Sequence, residues 1–133
     1  MNGAAVDIKS IIEYYYADSS DVDLYEIFVG KEPAEPANCI SIFETGIGSP
    51  QLTFDRSEIY EYTSVQIRVR TTNYLNGWSI INEIKNILHG RANETWGGGT
   101  IYTLIRCSVS PALLDYDKNQ RVRFVVSFNI QRR

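Results

Sequence analysis

The sequence predicts an α+β fold: a largely antiparallel β-sheet with two helices packed on one face, in the order α-β-β-β-α-β-β. Three observations carry this. Apolar residues recur at helical spacing in two segments, near the start and near residue 80, while segments 64–70 and 121–131 alternate apolar and polar residues at strand period. The links between successive strands are too short for crossover helices, which favours antiparallel neighbours. With 133 residues, 44% of them hydrophobic and 22% charged, the chain has the composition of an ordinary folded protein and the length of one domain, so residues 1–133 are read as a single unit.

The first element is a helix over residues 3–17, with Asn2 as its cap. Ile8, Ile11, Ile12, Tyr15 and Tyr16 fall on one stripe of it. Tyr14 lies beside that stripe and exceeds what the stripe can bury, which makes it a candidate interface residue. The acidic run Asp18-Ser19-Ser20-Asp21-Val22-Asp23 ends the helix, because short polar side chains compete with helical hydrogen bonds. Residues 24–29 read as a short strand. Pro33 and Pro36 make 30–38 a connection, and Ile40 and Ile42 alternate with Ser41 in a strand over 39–44. A long link then spans 45–62, with Gly46, Gly48, Pro50 and the aromatics Phe54, Tyr60 and Tyr62. Links of that length are often functional.

In 64–70, Val65, Ile67 and Val69 alternate with Gln66, Arg68 and Arg70, the signature of a sheet with one buried and one solvated face. Asn73 can cap a second helix that runs to His89, with Gly90 supplying a left-handed C-terminal residue. Trp78, Ile80, Ile81, Ile84, Ile87 and Leu88 share one half of its wheel and should lie on the sheet. Gly97-Gly98-Gly99 punctuates before a strand over 100–109, which Pro111 should end. The turn-rich segment 115–120 leads to the last strand, where Val122, Phe124, Val126, Phe128 and Ile130 take one parity and Arg121, Arg123, Ser127, Asn129 and Gln131 the other.

No recognisable catalytic set emerges. Any nucleophilic triad must use the single histidine, His89, whose place in the last turn of a helix needs no catalytic explanation. Cys39 and Cys107 fall in strands and read as small hydrophobes. Two cysteines and one histidine do not make a structural zinc site, and Asp21 with Asp23, or Asp115 with Asp117, read as solvated acids in turns. The glycine-bearing stretches lack the third glycine of a dinucleotide fingerprint or the lysine of a P-loop. No metal, cofactor or membrane span is expected, since no stretch approaches the ~20 apolar residues that a span needs. The reading is therefore of a non-enzymatic protein, made inside a cell or assembled into a particle there.

Charge is distributed unevenly. Residues 1–62 carry twelve acids against three bases, a net of -9, and residues 63–133 carry four against ten, a net of +6. Such a chain suits head-to-tail contact between copies, unless the two halves interleave on folding. Arg68, Arg70, Arg121 and Arg123 form a basic strip on the predicted solvent side of two strands. Readers of single-stranded nucleic acid add aromatics to such a face, but Phe124 and Phe128 take the opposite parity, so a neighbouring protein is the preferred partner of the strip.

Three stretches, Pro36 to Gly46, Val65 to Arg70, and Asp115 to Arg121 followed by Phe124 to Arg132, together with element order and chain length, resemble the phage tail terminator family of long-tailed phages, also called tail completion or minor capsid proteins. The resemblance implies a structural virion protein that forms a hexameric ring, caps the tail tube at the head-proximal end, stops its elongation and presents a head-tail joining surface. Its implied partners are other copies of itself, the tail tube protein and the head-tail connector protein, with genomic DNA passing through the lumen without specific binding. The protein would assemble in the host cytoplasm. On this reading Arg68, Arg70, Arg121, Arg123, Tyr14, Asp21, Asp23, Tyr60 and Tyr62 are candidate oligomer or tube contacts. A tail-tube or connector subunit of similar fold is the alternative, followed by a small ligand-binding or single-stranded nucleic-acid-binding domain.

Overall fold

A computed structural model of the chain describes residues 3–16, 25–45, 51–52 and 59–133. Its elements are α1 (Ala4–Tyr15), β1 (Glu26–Val29), β2 (Cys39–Glu44), β3 (Gln51–Leu52), β4 (Ile59–Thr71), α2 (Tyr74–Leu88), β5 (Glu94–Trp96), β6 (Thr100–Tyr116) and β7 (Val122–Arg132). The sheet runs β1-β2-β4-β7-β6-β5, with β3 beside β4. Every pairing is antiparallel except that of β1 with β2. The expected α+β order is present, with β3 and β5 as additional short strands.

Register explains the layering. Val65 opposes Phe128, Ile67 opposes Val126 and Val69 opposes Phe124, so the apolar parities of β4 and β7 share one face. That face forms one buried cluster with Ile8, Ile11 and Ile12 of α1 and Ile80, Ile81, Ile84 and Leu88 of α2. Burying side chains of this size stabilises by roughly 1.5–3 kcal/mol each. Gly77 lets α2 approach closely: a Cβ there would stand 2.6 Å from Thr71 Cγ2 and 2.7 Å from Phe124 Cε2.

The helix ends are satisfied by different means. The Asn73 side chain accepts from Leu75 N at 3.1 Å and Asn76 N at 3.2 Å, as the sequence predicts. Asn2, the expected cap of α1, lies outside the described residues. The first turn of α1 is instead served from β2, because Glu44 Oε1 accepts from Ala5 N at 3.2 Å. A carboxylate at a helix N-terminus also suits the helix dipole.

Several expectations are corrected. Helix α1 stops at Tyr15, and Tyr15 is exposed, while Ala4, Ala5 and Asp7 extend the buried stripe toward the N-terminus. Trp78 keeps an exposed flank while its ring packs 5.5 Å from Phe124. The link assigned to 45–62 contains β3 and the first residues of β4; Ile59, Tyr60, Tyr62 and Thr63 are good strand formers, and β4 is held there by β7, with Glu61 opposite Arg132. Residues 46–50 and 53–58 lie outside the described residues. Pro111 does not end β6, which continues to Tyr116. The ladder to β7 slips between Val109 and Ala112, and a bulge is where a strand can accommodate proline. Gly97, Gly98 and Gly99, all with positive φ, make the tight β5–β6 turn.

Candidate interface surfaces

The face of the sheet away from the helices carries the arginine strip. Arg70 opposes Arg123 across β4 and β7, and Arg68 opposes Val125. In place of an exposed strip, the structure shows an internal ion cluster under segment 31–38. Glu32 sits among three guanidinium groups, 3.6 Å from Arg68, 3.6 Å from Arg70 and 3.4 Å from Arg123. The Arg70 side chain is 5% exposed and also donates to the carbonyls of Pro33, Pro36 and Ala37. Arg121 is buried too, donating to Ala34 O at 2.9 Å and to Asp117 Oδ2 at 2.7 Å. Arg123 grips Asp115 with two bonds of 2.6 and 2.7 Å. Only Arg68 and Arg123 keep a partly exposed guanidinium.

These pairings set the local electrostatics. The hydrogen bonds from Arg123 hold the Asp115 carboxyl below its ordinary range. Asp117 is also lowered: burial works against this, but bonds from the Arg121 backbone and side chain and from Asn119 N outweigh it. The predicted turn at 115–120 is thereby locked, with Gln120 in the left-handed region.

A second polar cluster lies on the helix side, and the sequence reading missed it. The Tyr102 hydroxyl donates to buried Asp7, Arg132 Nη1 donates to the Tyr102 oxygen at 3.1 Å, and Arg132 Nη2 reaches Glu61 at 2.6 Å. Burial, then the Asp7 bond, pushes the Tyr102 phenol well above its ordinary range. The available signal was parity: Arg132 continues the inward series Val122 to Ile130 and must therefore point toward the helices. The cluster ties α1 to β4, β6 and β7.

Tyr14 is 69% exposed and stands edge-on to Tyr15 at 4.9 Å and to Trp96 at 5.8 Å, while Arg91 covers the Tyr15 ring at 3.4 Å. Tyr62 is exposed at the rim of a groove of about 350 Å³ on the open face, lined also by Leu104, Arg106 and Asn129. Tyr14 and Tyr62 thus occupy separate patches. Asp21 and Asp23 lie outside the described residues, as does the side chain of Tyr60.

A further set of exposed apolar side chains was not anticipated. Tyr74, Leu75 and Trp78 of α2, with Val109, Leu113, Leu114 and Tyr116 of β6, all show substantial exposure. Tyr74 and Trp78 pack on Phe124, and Leu113 opposes Phe124 in register, so Tyr74, Trp78 and Leu113 share the helix side, whereas Val109 opposes Ser127 on the other face. Ending β6 at Pro111 hid the β6 members of this set.

Among the described residues, the titratable side chains that the sequence offers for catalysis are placed in structural roles. His89 Nδ1 accepts from Cys107 N at 2.9 Å, a bond that fixes the helix end to β6. Burial raises both thiols, Cys39 and Cys107, above their ordinary range, the opposite of what a reactive cysteine requires. Among the described residues there is no cluster of three metal-binding side chains, and no helix is long and apolar enough to cross a membrane.

The chain matches the family described as bacteriophage tail terminator protein over residues 2–133. It belongs to that family. The terminator is a structural protein of the virion tail and interacts with other phage tail and head proteins. No curated protein shows a significant match to the chain.

Proposed function

We propose that this terminator closes the tail tube as a ring of copies, six by the resemblance described above. The ring stops tube elongation at the head-proximal end and offers its other side to the head-tail connector. Assembly takes place in the host cytoplasm. The observation that carries the proposal is the family match over residues 2–133. The internal pairing of Arg68, Arg70, Arg121 and Arg123 supports a lumen through which DNA passes without being held, since a free basic strip would bind phosphate. Tyr14, Tyr62 and the exposed flanks of Arg68 and Arg123 are the described candidates for contact with neighbours or tube.

Tube length provides the test. Purified terminator added to polymerising tail tube protein should shorten the mean tube in proportion to the amount added, with one ring visible at one end by electron microscopy. Incorporation along the tube, or unchanged length, would overturn capping and favour a tube subunit.

A further inference from the structure

We draw no further inference here: the strongest candidate, the exposed apolar patch that Tyr74 and Trp78 of α2 form with Leu113 of β6 around Phe124, is an unpartnered face, and nothing in the structure shows what covers it.

Discussion

Glu32 shows how one carboxylate can change the meaning of a basic motif. Its side chain, 11% exposed, is shared by Arg68, Arg70 and Arg123, and its Oε1 accepts no hydrogen bond. The pairing is therefore Coulombic more than directional. Glu32→Gln leaves the buried Arg70 guanidinium without its counter-charge, though three carbonyls still hold it. Breaking a buried ion pair costs about 3–5 kcal/mol, and the remaining carbonyl bonds place the expected loss near the lower end, about 3 kcal/mol. Urea unfolding of the variant checks this; an unchanged midpoint would mean that the cluster contributes nothing to stability. From the sequence, the parity of Arg68, Arg70 and Arg123 was legible, because alternation along a strand is local. Their partner was not: Glu32 lies more than thirty residues away, in a proline-bearing segment whose path across the sheet has no periodic signal.

Among the elements, α2 was the most legible, since its cap, its apolar stripe and its terminal glycine agree with one another. Its closest contact is less obvious. Alanine in place of Gly77 would ordinarily favour a helix by about 1 kcal/mol. Here the added methyl meets Thr71 and Phe124 below 3 Å, and overpacking a close-packed site costs about 1–3 kcal/mol. Gly77→Ala should therefore destabilise by up to about 2 kcal/mol, read as a lower thermal midpoint; a raised midpoint would mean that α2 moves off the sheet easily. The strands were read less well, for a common reason. Pro111 is a local stop signal overridden by the long ladder to β7, and the start of β4 is set by its pairing with the end of β7. Strand β5 is three residues held against β6 by a glycine turn, too short to show alternation. In each case a partner distant in sequence decides the element.

For the whole molecule, the question is whether charge or apolar surface drives association. The sequence shows a chain split into acidic and basic halves, but folding pairs them: Glu32 and Glu61 of the first half meet Arg68, Arg70, Arg123 and Arg132 of the second. Less of the bipolar charge is left for a neighbour than the sequence implies. Exposed ion pairs contribute about 0–1 kcal/mol each, whereas full burial of side chains such as Leu113 or Tyr116 contributes roughly 1.5–3 kcal/mol apiece. If copies join through such side chains, apolar burial dominates and screening matters little. The concentration for half-assembly should then change less than about threefold between about 0.05 and about 0.5 M salt, where exposed pairs are largely screened. Light scattering across that range decides the matter. A loss of assembly by tenfold or more in high salt would instead assign the contact to charges outside the internal cluster, and would move the search to the acidic residues around β1 and the exposed basic groups near Arg106.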